Sequence, residues 1–173
     1  YVKNYSYFWK HPAIRKTFRN KPVYMIHDDH EIKDDYGVSR FDASRFDEQR
    51  FPQEEGGLRA YQLFQHVHNP GGLNPRTDSR GRPILDYDFQ KEKVAFYVLN
   101  TRSSRPSINP GSNTVHPILG TEQYDRFLAW ANSNEVQQSD VVFVSIPIPP
   151  VFLPSQLIDN ILNSSLAKAI LSA

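Results

Sequence analysis

The densest chemistry in this chain lies in His27-Asp28-Asp29-His30-Glu31, followed closely by Asp34 and Asp35. These residues come directly after a β-rich apolar run, Pro22-Val23-Tyr24-Met25-Ile26. A strand that stops at carboxylates and imidazoles delivers side chains to a site at its C-terminal edge. Asp, His and Glu are ligands for hard and borderline metal ions, and they also move protons. Five acidic side chains within eight positions repel one another unless a cation or several donors offset the charge. A metal ion is the simplest offset; the competing account is an acidic loop in solvent or a helix cap. Asp29 and His30 are adjacent, so in an extended segment their side chains diverge. One can hold a metal while the other faces a substrate. Glu31 suits a place behind an imidazole or a backbone donor, and Asp34 and Asp35 read as solvated.

A second polar group, Asn100-Thr101-Arg102-Ser103-Ser104-Arg105, closes the apolar run 94–99. Arginine gives planar, bidentate recognition of phosphate or carboxylate, which makes Arg102 the candidate for holding an anionic substrate. The competing account is an arginine that pairs with the acidic group or faces water, and Arg105 is read that way. His66 and His68 are two residues apart near a helix end and do not share a face. They, with His11 and His116 beside prolines in connecting segments, are expected at surface or C-terminal helix positions. Gly56-Gly57 and Gly71-Gly72 lack the Lys-Ser or Lys-Thr of a phosphate loop, and no Gly-x-Ser-x-Gly elbow is present.

These groups need elements to position them. Helical spacing predicts a helix, a break at Pro12 and a second short helix within residues 1–19. Residues 22–26 are predicted as a strand and 33–55 as a long functional loop ended by Gly56-Gly57. A helix over 58–68 stops at Asn69-Pro70-Gly71-Gly72. Residues 84–89 and 94–99 are predicted as an antiparallel hairpin, followed by a polar loop over 101–117. An amphipathic helix then starts with Thr121 as its N-cap and carries Tyr124, Phe127, Leu128 and Ala131. Residues 141–146 read as a fully buried strand. Residues 155–171 read as a last helix with Leu157, Ile161, Leu162, Leu166 and Ile170 on one face. The order favours an α/β layered domain with helices packed on a sheet.

The chain has 173 residues and a formal net charge of +1, so no global pull toward nucleic acid or an anionic membrane is expected. It has no cysteine, which excludes disulfides and thiolate metal sites. No apolar run approaches the roughly 20 residues of a membrane span. Tyr1 opens inside a helical pattern and the C-terminus stops inside another, so the chain reads as an internal segment of a longer protein.

At these residues the chain resembles a known family. The stretch from Pro22 through His27-Asp28-Asp29-His30-Glu31 to Tyr36-Gly37 is similar to the central motif of PhoD-like alkaline phosphatases, of the calcineurin-like metallophosphoesterase fold. The resemblance continues through the Ala60-Tyr61 helix ending at Asn69-Pro70, and through Phe96-Tyr97-Val98-Leu99-Asn100-Thr101-Arg102-Ser103-Ser104-Arg105. It also covers Ile118-Leu119-Gly120-Thr121-Glu122-Gln123-Tyr124-Asp125-Arg126-Phe127-Leu128-Ala129-Trp130 and Val141-Val142-Phe143-Val144-Ser145-Ile146-Pro147.

The resemblance implies a metal-dependent phosphoric ester hydrolase, acting on monoesters or diesters, with a metallophosphoesterase-type sheet sandwich flanked by helices. Residues 1–173 would be the central segment of one catalytic domain and inactive alone. Asp29 would be a metal ligand, in the place of Asn in a Gly-Asn-His-Glu motif, with Asp28 as a second. His30 would contact phosphate or assist the leaving group, and Arg102 would help to hold the substrate. The ions would be divalent or trivalent, from Fe, Mn, Zn and Ca, in a two-metal or mixed site. Family analogy points to an exported, periplasmic or extracellular protein. Asn100 stands where the family has Asp, and His27 where it often has Trp. The family's first Gly-Asp element, a further Asp and a later Gly-Asp-x-His element have no match here. Those gaps motivate a second expectation, a non-catalytic phosphatase-like scaffold that binds an anion or a protein. A phosphodiesterase acting on nucleic acid ranks last.

Overall fold

A computed structural model describes residues 1–33, 36, 52–79, 81–104 and 118–148. In chain order the helices are α1 (Val2–Lys10), α2 (Pro12–Asn20), α3 (Pro52–Phe64), α4 (Thr121–Ala131) and α5 (Asn134–Gln137), with a 3-10 turn at His66–His68. The strands are β1 (Tyr87–Lys91), β2 (Val94–Val98) and β3 (Val141–Ser145).

The hairpin expected from the alternation of residues 84–99 forms. β1 and β2 pair antiparallel, with Tyr87 opposite Val98 and Lys91 opposite Val94. Glu92 turns the chain at φ 53°, the left-handed conformation a tight hairpin turn requires. β3 lies parallel to β2 with Phe143 opposite Phe96, so the sheet order is β1-β2-β3. A parallel return needs a crossover, and α4 and α5 belong to it. The rings of Phe127 and Trp130 on α4 stand 5.2 and 5.0 Å from Tyr97, which fixes α4 on the Ala95/Tyr97 face of the sheet. Leu85, Tyr87, Ala95, Tyr97, Val98 and Leu99 are buried together with Ile32, Ala60 and Tyr61. The described residues thus make a small mixed α/β fold, one three-stranded sheet flanked by helices.

α1 and α2 bury no residue completely. They attach through rings: Tyr5 stacks on Phe64 at 5.1 Å, and Trp9 sits 4.8 Å from Phe18 and 5.0 Å from His68. Pro12 occupies the first turn of α2, where its missing N–H costs nothing.

Several expectations are corrected. Residues 22–26 are not a strand. Buried backbone groups must be paired, and here side chains pair them. The Met25 N–H donates to Asn69 Oδ1 at 2.7 Å, and Asn69 Nδ2 and the Tyr87 hydroxyl donate to Met25 O at 3.0 and 2.8 Å. α3 starts at Pro52, so the expected loop is shorter and Gly56-Gly57 lie inside a helix. Gly57 fits because a Cβ there would stand 3.0 Å from the Tyr1 ring and 3.2 Å from Ile32. Apart from Lys33 and Tyr36, the rest of that loop, including Asp34 and Asp35, lies outside the described residues, as does the expected helix 155–171. α4 takes Gly120 as N-cap, at φ 71°, rather than Thr121. His66, expected at the surface or at a helix C-terminus, lies in the 3-10 turn just past the end of α3 and is buried. β3, expected to be buried on both faces, is exposed along its length. It is the last strand of the sheet, with no neighbour beyond it among the described residues. No helix among the described residues is long and apolar enough to cross a membrane.

Candidate functional site

Extended residues 22–26 end in a tight turn. The N–H groups of Ile32 and Lys33 both donate to Asp29 O at 2.8 Å. Glu31 folds back and accepts the Asp28 N–H at 2.9 Å, while Asp29 Oδ1 accepts the N–H of His30 at 3.0 Å. The turn brings Asp28 and Asp29 to the loop that leaves β2. There the Arg102 side chain, only 9% exposed, donates through Nε to Asp28 Oδ1 at 2.7 Å. Its Nη2 lies 3.5 Å from Asp29 Oδ1, and its Nη1 donates to Tyr36 O at 3.2 Å.

The loop presenting Arg102 is held from two sides. Asn100 Oδ1 accepts the N–H groups of Arg102 and Ser103 at 3.2 and 3.1 Å, and Asn100 Nδ2 donates to Ser103 Oγ at 2.5 Å and Ser104 Oγ at 3.1 Å. Gln123 on α4 takes the Asn100 N–H at 2.8 Å and returns a bond to Asn100 O at 2.8 Å. An asparagine suits position 100. The amide donates and accepts at once, whereas a carboxylate would add a third negative charge beside Asp28 and Asp29.

His27 lies behind the turn, 2% exposed, with its ring 4.8 Å from Tyr61 and Nδ1 3.5 Å from Asn100 Oδ1. Burial lowers its pKa from 6.5 to about 4, outweighing the Asn100 bond and the nearby Asp28 charge. Burial also lowers the pKa of His66. The sign follows from linkage: the unfolded chain binds a proton at His27 near pH 6.5 and the folded chain only near pH 4. The stability due to a neutral His27 is complete above the upper value and is lost as pH falls through this window. Urea denaturation at pH 7 and pH 5 is expected to show a loss of about 2 kcal/mol at the lower pH, and a smaller loss in His27→Gln. An acidified wild type as stable as at neutral pH would contradict the burial argument.

The sequence placed metal ions on Asp29 and Asp28, and the structure corrects this. Among the described residues no group of three or more His, Cys, Asp or Glu side chains is placed to hold a metal ion. The donor set does not suit one either. Asp28 and Asp29 turn toward Arg102, and Glu31 is turned back onto the chain. The counter-charge that the acidic cluster needs is a guanidinium, so the expected Fe, Mn, Zn or Ca has no ligand shell here. Arg102, the expected substrate contact, is engaged by the two aspartates and the Tyr36 carbonyl. His30 stands outside: its side chain is 79% exposed, with Nε2 4.0 Å from Asp29 Oδ1.

Sequence reasoning missed Asn69 and Gln123, whose roles depend on backbone they do not neighbour. It also missed the Asp86 carboxylate, which accepts from Arg126 at 2.6 and 3.0 Å and from the Tyr97 hydroxyl at 2.8 Å. One signal was available for Gln123, a polar residue in the first turn of a helix beside its apolar stripe.

A different feature lies on the sheet face away from α4. Tyr24, Phe89, Phe96 and Phe143 stack in a row, with successive ring separations of 4.0, 4.6 and 5.2 Å. They line an open, mainly apolar cavity of about 470 Å³ together with Pro22 and Ile26. The row runs across the strands and stops at β3, the last strand of the sheet among the described residues, where Val141, Val142, Phe143 and Val144 are 45, 44, 53 and 43% exposed. No protein-family model matches this chain, and no match was found among curated proteins or solved structures.

Proposed function

We propose that this chain is a non-catalytic, phosphatase-like scaffold that binds a polypeptide along β3, the edge strand among the described residues, and the open face of its sheet. The observation that carries this reading is the stacked row from Tyr24 to Phe143, ending on an exposed edge strand. Strands paired in parallel are normally covered on both faces. An uncovered edge offers main-chain hydrogen bonds, with apolar sites for alternate side chains, to an added strand. The "phosphatase-like" part, including the finer assignment of a metallophosphoesterase sandwich, rests on the sequence resemblance. An anion is the poorer ligand, because Arg102 is already paired with Asp28 and Asp29.

Two assays in parallel test the reading. p-Nitrophenyl phosphate and a diester analogue are expected to remain unhydrolysed by this chain and by any longer polypeptide carrying it. A synthetic peptide of alternating valine and threonine is expected to slow hydrogen exchange of β3 amides. Turnover without any change in exchange would overturn the scaffold.

One observation favours a second reading, phosphoric ester hydrolysis by a longer protein that contains this segment. The exposed His30 imidazole beside the Asp29 carboxylate is suited to give a proton to a leaving oxygen. Turnover in the longer protein that disappears in His30→Asn would support this reading; turnover unaffected by both His30→Asn and Asp29→Ala would remove it.

A further inference from the structure

The net charge of +1 conceals an uneven distribution. Residues 1–27 contain six basic side chains, Lys3, Lys10, Arg15, Lys16, Arg19 and Lys21, and no acidic one. Residues 28–173 contain 14 basic and 19 acidic side chains. All six N-terminal cations are exposed, and among the described residues none of them forms an ion pair. The residues outside the described set carry six basic and six acidic side chains, so as a set they do not offset the surplus. We propose that α1 and α2 dock on an anionic lipid surface and lie in its headgroup layer. This is independent of the polypeptide-binding reading.

The two helices divide the work. On α2, Ile14 and Phe18 are one turn apart and half-buried, and the Phe18 ring lies 4.8 Å from Trp9. That leaves Arg15, Lys16 and Arg19 toward solvent. On α1, Tyr5 and Trp9 take the inner face. Its outer face joins charge to apolar rings. Lys3, Tyr7 and Lys10 recur at helical spacing and share a face. Tyr7 is 75% and its neighbour Phe8 59% exposed, with their rings 5.8 Å apart, and Val2 is exposed on the same helix. Neither helix buries a residue completely, so both lie at the periphery.

Charge complementarity calls for an anion, and the exposed apolar side chains select the lipid. Short helices with Lys and Arg beside aromatic residues lie in the membrane interface. Aromatic rings settle at the headgroup level, while lysine stems follow apolar surface and their ammonium groups reach phosphate. A single-stranded nucleic acid would match the charges and stack on Tyr7, but it offers Val2 no apolar partner. The acidic surplus of the remaining chain also repels a polyanion that runs past the patch. Peptides dock in a groove or on a sheet edge, and the seam between α1 and α2 is already filled by Trp9 and Phe18.

The whole chain is expected to co-sediment with vesicles of phosphatidylcholine containing about 30% phosphatidylserine. Binding is expected to fall at least about tenfold with phosphatidylcholine alone or in about 0.5 M sodium chloride. Each basic residue near an anionic surface strengthens binding about fivefold. The triple variant Arg15→Gln, Lys16→Gln, Arg19→Gln is therefore expected to bind about a hundredfold more weakly. Lys91→Gln with Lys93→Gln, at the far end of the hairpin, is expected to bind as wild type does. Tyr7→Ser with Phe8→Ser removes no charge and is expected to lose at least about tenfold. All these positions are exposed, and unchanged circular dichroism with unchanged amide protection of the β1–β2 hairpin checks that the variants fold. No binding to the anionic vesicles, an equal loss in the hairpin pair, or full binding by the ring variant would sink the lipid assignment. So would tighter binding of oligothymidylate or polyglutamate than of the vesicles.

Discussion

Arg102→Ala is expected to destabilise the fold by about 3 kcal/mol. The arginine side chain is 9% exposed and is the counter-charge for two neighbouring carboxylates. Removing it leaves Asp28 and Asp29 side by side without that counter-charge, and takes away the bond to Tyr36 O. Losing one partner of a buried pair costs about 3–5 kcal/mol. The lower end applies because the Asp28 side chain is 38% exposed, and water screens part of the repulsion. Arg102→Lys keeps the charge but cannot span both aspartates as the planar fork does, so it is expected to fall between. Adding Asp28→Asn to Arg102→Ala relieves the repulsion and is expected to recover about 1 kcal/mol. A urea double-mutant cycle measures all of these. Arg102→Ala within about 0.5 kcal/mol of wild type would mean that the clamp contributes little to the fold.

Gly72→Ala is expected to cost at least about 3 kcal/mol. An added Cβ would stand 1.8 Å from His66 O, 2.8 Å from His66 C and 3.0 Å from Asn69 O, all of them backbone atoms. No side-chain rotation relieves such a clash. The same segment is tied by the bonds Asn69 N–H to His66 O and Gly72 N–H to Asn69 O, both at 2.9 Å. Asn69 in turn holds both backbone polar groups of Met25. The displacement therefore reaches the turn that carries Asp28 and Asp29, although Gly72 touches neither. Gly71→Ala is the control. Its Cβ meets nothing within 4 Å, but the backbone is at φ 72°, which costs a non-glycine residue about 1 kcal/mol. Equal losses for the two variants in thermal or urea melts would contradict the steric account.

The elements legible in the sequence were those whose pairing or packing follows from their own pattern. Alternation gave the hairpin, and helical spacing gave α4 and both N-terminal helices. The run 141–146 was recognisable as a strand, but its burial was not, because burial depends on what lies beside it. Residues 22–26 look like a strand in composition. They are not one because Asn69 and Tyr87, more than 40 residues away, satisfy Met25. The glycine pair at 56–57 suggested a boundary, and only the packing of Tyr1 and Ile32 explains a helix running through it.

The site was partly legible. That Asp28, Asp29 and Arg102 belong together was one of the accounts open from sequence alone. Which cation balances the carboxylates was not, because a metal ion and a guanidinium answer the same electrostatic need. The choice depended on a loop 70 residues further on, set in place by Asn100 and Gln123.

The placement of the two tryptophans has a practical side. Trp9 is packed against Phe18 and His68, whereas Trp130 is packed against Tyr97 and Phe127 over the sheet. The chain thus carries two optical reporters with no shared neighbour, one for the docking of the N-terminal helices and one for the sheet. With either tryptophan replaced by phenylalanine, the remaining emission reports one region. Coincidence of the two melting curves then distinguishes a single cooperative unit from a helical pair that departs before the sheet.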